Sequence, residues 1–234
     1  MNHTWKRSAI AALGLVAALS VVACGSSSKS EPTATPAAAS PAASPSPNAT
    51  ELATMAAGSA AAKLGPAMLN LADYPAGFEV KRQLPKLVAA SDVPGLPSAA
   101  SGFFATSATP DGNEFVNLIA IVATSEADAG ACLNAFVPDT YLPGLTSGAA
   151  NATSKPDSAA GAPPGTKAFS YAGTVTATQS GNLTQHEVSG LALAFVHGKT
   201  FVVVVGAAYG AAPRTADIAR IAAAIDGRLT AETN

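Results

Sequence analysis

Leu191-Ala192-Leu193-Ala194-Phe195-Val196-His197-Gly198-Lys199-Thr200-Phe201-Val202-Val203-Val204-Val205 is the stretch on which the fold turns. Two unbroken apolar runs, Leu191 to Val196 and Phe201 to Val205, flank a His-Gly-Lys turn. A strand with one wet face alternates apolar and polar residues. Continuous runs joined by a tight turn therefore predict paired strands covered on both sides. The other arrangement such runs allow has one face lining an apolar cavity.

Working outward, Lys167 to Thr178, Leu183 to Val196 and Thr200 to Ala208 read as a three-strand meander, with a first turn at Gln179-Ser180-Gly181-Asn182. Downstream, Pro213 suits the first turn of a helix. Ile218, Ile221, Ala222, Ile225 and Leu229 make one apolar stripe there, with Asp217, Arg220 and Arg228 off it. Upstream, Ser101 to Thr109 and Glu114 to Thr124 flank Pro110-Asp111-Gly112-Asn113, a hairpin signal. Ser125 with Asp128 three residues on predicts a helix start. Ala129, Cys132, Leu133 and Phe136 then fall on one buried face. Pro138 should stop that helix, and Cys132 reads as a small buried hydrophobe rather than a nucleophile.

Two segments nearer the N-terminus are less periodic. Glu51 to Leu64 suggests a short helix ended by Gly65-Pro66. In Leu69 to Phe78, Pro75 and Gly77 suit a type I turn beginning at Tyr74 that launches a strand from Phe78 to Leu84. Asp73-Tyr74-Pro75-Ala76-Gly77-Phe78 resembles the Asp-Leu-Pro-x-Gly-aromatic opening of small lipoproteins of actinobacteria and related phyla, with Tyr74 in place of Leu. Arg82 stands among Phe78, Val80 and Leu84, either at a fraying strand end or as an inward cation. Residues 139–165, rich in Gly, Pro, Ala and Ser, read as a long flexible loop whose Tyr141-Leu142-Pro143 start could pack as a lid.

Together these elements predict one α+β domain over residues 51–234. It has an antiparallel sheet of about six strands and two main helices. The element order resembles that of Mog1/PsbP-like lipoproteins, a likeness that implies an accessory or assembly role.

The beginning of the chain carries an address. Lys6 and Arg7 precede an apolar run from Ala9 to Ala23 broken only by Gly14 and Ser20. This is the layout of a signal peptide. At about 15 residues the run is short of the ~20 that a membrane span needs. It ends in Val21-Val22-Ala23-Cys24, which resembles the lipobox of bacterial lipoproteins. That resemblance implies cleavage before Cys24, residues 1–23 as the signal, and a diacylglyceryl group on the Cys24 sulfur. Two acyl chains hold a protein stably at a membrane where one does not. Residues 24–50 continue in Ser, Pro, Ala and Thr, a composition that cannot bury enough apolar surface to order itself. They read as a disordered linker.

Without residues 1–23 the chain holds 11 Lys+Arg against 15 Asp+Glu, a balance of −4. That argues against nucleic acid and against a polybasic grip on anionic lipid. Cys132 is then the remaining thiol, so no disulfide within the chain is expected, and two histidines, His186 and His197, provide no metal-ligand spacing. No Gly-x-Ser-x-Gly, His-Glu-x-x-His, phosphate loop or Cys-x-x-Cys occurs. His186 and Glu187 are strand neighbours and point to opposite faces, and His197 sits at a hairpin tip. The sequence therefore predicts a lipid-anchored, extracytoplasmic, non-catalytic monomer at the cell membrane, without cofactor, metal or nucleic acid. Lipidation at Cys24 is its one assigned site. Its partners are the membrane and an envelope protein, or alternatively a lipid or other hydrophobic ligand held in an apolar cavity.

Overall fold

The computed structural model describes residues 60–138, 150–179 and 182–233. Seven antiparallel strands form one sheet: β1 (Glu79–Val88), β2 (Ala100–Ala108), β3 (Glu114–Val122), β4 (Ala150–Asp157), β5 (Lys167–Gln179), β6 (Asn182–His197) and β7 (Thr200–Tyr209). Their order is β1-β2-β3-β7-β6-β5-β4. Two meanders, β1 to β3 and β4 to β7, thus meet along β3 and β7. Helices α1 (Ala60–Lys63), α2 (Gly65–Met68) and α4 (Thr215–Thr233) pack on one face, and α3 (Glu126–Ala135) on the other.

The two apolar runs occupy the sheet's centre, and period 2 divides them between its faces. Leu191, Leu193, Phe195, Val202 and Val204 pack under α4, while Ala192, Ala194, Phe201, Val203 and Val205 pack under α3. Both faces are covered, so continuous hydrophobicity here reflects burial on two sides. Each large aliphatic or aromatic side chain buried in this way contributes about 1.5–3 kcal/mol. The centre therefore outweighs any single polar contact at the rim.

The helix faces follow the expected stripes. Ser125 Oγ accepts from Asp128 N–H at 3.1 Å, capping α3, whose Ala129 and Cys132 are buried along with Phe136 just past its end. Ile218, Ile221, Ala222, Ile225 and Leu229 of α4 are buried. Gly130, inside α3, has open space where a Cβ would stand and an ordinary helical backbone. Gly130→Ala is therefore expected to stabilise the fold by about 0.5–1 kcal/mol, read as a melting temperature higher by roughly 1–4 °C.

Several expectations need correction. The sheet has seven strands rather than about six, because the stretch read as loop, 139–165, contains β4. As an edge strand β4 bonds one neighbour and needs no apolar run, and Pro156, lacking an N–H, is tolerated there. Residues 139–149 of that stretch lie outside the described residues, as do the signal, the linker and Cys24. Of the helix expected over 51–64 the described part, α1, stops at Lys63 just before Gly65-Pro66, as expected; the same pair also opens α2, with Pro at the first turn where its missing N–H costs nothing. The turn before β1 lies one residue later than expected, closed by Phe78 N–H on the Pro75 carbonyl, with Gly77 at φ 95°. That left-handed position is the third of a type II turn, where glycine is required. The strand after it runs on to Val88 through Pro85, with a register shift between Val80 and Arg82. Arg82 is exposed and lies inside this strand at its register shift, so neither the inward-cation nor the fraying-end reading of it holds.

Candidate functional site

The sequence assigns one site, Cys24, and it lies outside the described residues. Within the domain, the chemistry-bearing side chains are placed as follows. Cys132 is buried on α3 and burial pushes its thiol up, away from the thiolate a nucleophile needs. His186 and Glu187 are exposed neighbours on β6. His197 is not simply solvated at its hairpin tip. Its Nδ1 lies 2.8 Å from Asp226 Oδ1 and ties the β6–β7 turn to α4. Among the described residues no group of three or more His, Cys, Asp or Glu side chains could hold a metal.

A second polar cluster was not expected from sequence. Arg228 of α4 pairs with Asp73 at 2.7 Å, and its Nε–H donates to the Ala67 carbonyl at 2.8 Å. One guanidinium thus pins both α2 and the 3-10 turn Leu71–Asp73 to α4. The contact is an ion pair between Arg228 Nη1 and Asp73 Oδ2, and among the described residues Asp73 Oδ2 and Arg228 Nη2 are buried without a hydrogen-bond partner. Beside it Tyr74 is buried, as is Ser107 on β2. This geometry fastens helical segments to one another.

Two tyrosines show how closely the sheet faces are filled. Burial pushes the Tyr74 phenol up to about 12, with the Ser107 hydroxyl pulling the other way. Tyr171 lies over Gly190, donates its hydroxyl to the Gly206 carbonyl at 3.2 Å, and is pushed higher still by burial. Unfolded tyrosines ionise near 10, so above that pH the unfolded chain sheds protons that the folded chain keeps. The sign follows directly: stability is intact below pH 10 and falls as pH rises. For Tyr74 the loss accumulates between 10 and about 12, at up to about 1.4 kcal/mol per pH unit. Tyr171 adds a similar slope and extends the window upward. Denaturant midpoints measured from about pH 9 upward check this, and Tyr171→Phe should remove roughly half the slope; a midpoint flat to about pH 11 would contradict it.

One cleft opens beside the first turn of α4. Phe78, Phe115, Val116 and Ile218 are among its lining residues, and Glu114 and Arg214 pair across its rim at 2.9 Å. Its volume is about 20 Å³, room for a water molecule. Ligand pockets run from about 300 Å³ upward.

No protein-family model matches the chain, and no curated protein matches it. Among solved structures, the extracellular domain of PknH from Mycobacterium tuberculosis is similar in part. Sequence identity is 13%, the TM-score is 0.48, and the overlap covers 74% of this chain and 97% of that one. An overlap at this level carries no argument about chemistry, so a functional reading must rest on the residues themselves.

Proposed function

We propose that this chain is a lipoprotein held at the extracytoplasmic face of the cell membrane by diacylglyceryl Cys24. Its domain is a non-catalytic module that binds a partner at the cell envelope. The observation that carries the reading is Val21-Val22-Ala23-Cys24 at the end of a short apolar run behind Lys6 and Arg7. No helix among the described residues is long and apolar enough to cross a membrane. The domain contributes no thiol open to solvent, since Cys132 is enclosed.

The test is covalent. Cells fed labelled fatty acid should place label on this polypeptide, and the mature N-terminal peptide should begin at Cys24 and carry the diacylglyceryl mass. Cys24→Ser should abolish both and move the protein from the membrane to the soluble fraction. An unlabelled chain, or a Cys24→Ser chain that still fractionates with membrane, would overturn the anchor.

Within this reading, surface binding is better supported than transport of a lipid in an internal cavity. Ile218 fills the space over Gly206, and Tyr171 the space over Gly190. A carrier would need that space empty. Native mass spectrometry of the purified domain should give the apo mass, and a stoichiometric co-purifying lipid would reverse this preference.

A further inference from the structure

We infer that the β1 edge of the sheet is a docking surface for an anionic phospholipid bilayer. β1 stands at the end of the strand order, and its first six residues are exposed on both faces. Its register places Arg82, Leu84 and Lys86 opposite Thr106, Phe104 and Gly102, hence on one face. Alternate residues on a strand stand about 6.7 Å apart, so the two cations bracket Leu84 over about 13 Å. The Lys86 ammonium lies over the Phe104 ring, 4.4 Å from its centre, and the residue stays exposed. Leu84 and, on the other face, Val80 are each 39% exposed. Glu79 is already paired with Lys81 at 2.7 Å, which leaves Arg82 and Lys86 with no carboxylate partner among the described residues.

Three occupants compete for such an edge. A partner β-strand is disfavoured, because the register shift between Val80 and Arg82 and the missing N–H of Pro85 spoil the edge as a pairing template. A soluble polyanion would use the cations but has no need of exposed Val80 and Leu84. Cations interleaved with apolar side chains suit a bilayer interface, where acidic headgroups meet the first hydrocarbon. The net acidity that argues against a polybasic grip belongs to the whole chain; this contact rests on two local cations and exposed apolar side chains, and charges more than about 10 Å away are screened at 0.1 M salt. The cellular role rests on the anchored reading above, in which a lipid chain on Cys24 keeps the domain near a membrane. Binding to vesicles does not depend on it.

The experiment uses unacylated chain, residues 24–234 with Cys24→Ser, so its outcome is separate from that of the labelling test. It is sedimented with vesicles of mixed phosphatidylglycerol and phosphatidylcholine, and with phosphatidylcholine alone. Binding should favour the anionic vesicles and weaken as salt rises. Arg82→Gln with Lys86→Gln should weaken it about 25-fold at low salt, from about fivefold per cation. Leu84→Ser should weaken it several-fold, while Val137→Ser, at an exposed apolar residue off β1, should leave it unchanged. All these positions are exposed, and an unchanged melting temperature confirms folding. Equal binding to both vesicle types, no binding to either, or no effect of the double substitution overturns the proposal. So does equal affinity for soluble poly(glycerol phosphate) with indifference to Leu84→Ser, which would assign the edge to a polyanion.

Discussion

Gly190→Ala is expected to lower the melting temperature by roughly 6–12 °C, from about 3 kcal/mol of overpacking at about 2–4 °C per kcal/mol for a domain of this size. Gly190 is buried in β6, between Val188 and Ala192 on the face under α3. A Cβ there would fall inside van der Waals contact of both the Gly206 carbonyl oxygen and the Tyr171 ring. Neither can yield cheaply. The carbonyl belongs to the backbone of β7, the neighbouring central strand, and Tyr171 is held by its hydrogen bond to that same carbonyl. Gly112→Ala separates this steric effect from glycine's conformational freedom. Gly112, in the β2–β3 turn, has φ 73° but nothing within 4 Å of a Cβ, so only backbone strain of about 1 kcal/mol is at stake. Thermal melts of the two variants side by side should show Gly190→Ala as much the worse. A Gly190→Ala protein melting within about 2 °C of the parent would mean that Tyr171 does not occupy this place.

Arg228→Ala should cost about 2–4 kcal/mol. Breaking a fully buried pair costs about 3–5 kcal/mol, and here the side chains keep 27% and 17% exposure, which lowers the figure. The substitution strands the Asp73 carboxylate and also orphans the Ala67 carbonyl. Arg228→Lys should recover little, because one ammonium on a flexible stem cannot reproduce a planar fork serving two acceptors. Asp73→Asn combined with Arg228→Ala should cost less than the sum of the single changes, since the second removes a partner already idle. Denaturant unfolding of the four proteins in the cycle measures that coupling. Additive losses, or an Arg228→Ala loss under about 1 kcal/mol, would show that the pair does not hold α2 and the 3-10 turn to α4.

Those two sites differ in what announced them. Tyr171 and Gly190 face each other through strand register, and the strands themselves were legible as a meander. Their contact could not be read, because which glycine lies beneath which ring depends on a register that no local pattern specifies. Asp73 and Arg228 read as ordinary charged residues, one before a turn and one off a helix stripe. His197 likewise read as a solvated tip until Asp226 arrived from α4. β4 was missed for another reason. Ala-Thr-Ser-Lys-Pro-Asp at an edge has little apolar content, so its strand character comes from β5 beside it.

What the sequence determined by itself is whatever a short window can express. Continuous apolar runs at 191–205 required strands with no wet face, Pro110 to Asn113 required a turn, and Ser125 and the Ile218 stripe required helices. Each is set by φ/ψ preference or by a period of 2 or 3.6 within a few residues. Only the tertiary structure decided which faces α3 and α4 cover, that β7 sits against β3, and that Arg82 and Lys86 share an exposed edge with Leu84. Those outcomes are pairings between distant segments. Side-chain shape and the burial of whole faces select them, and neither is expressed in any one stretch of the chain.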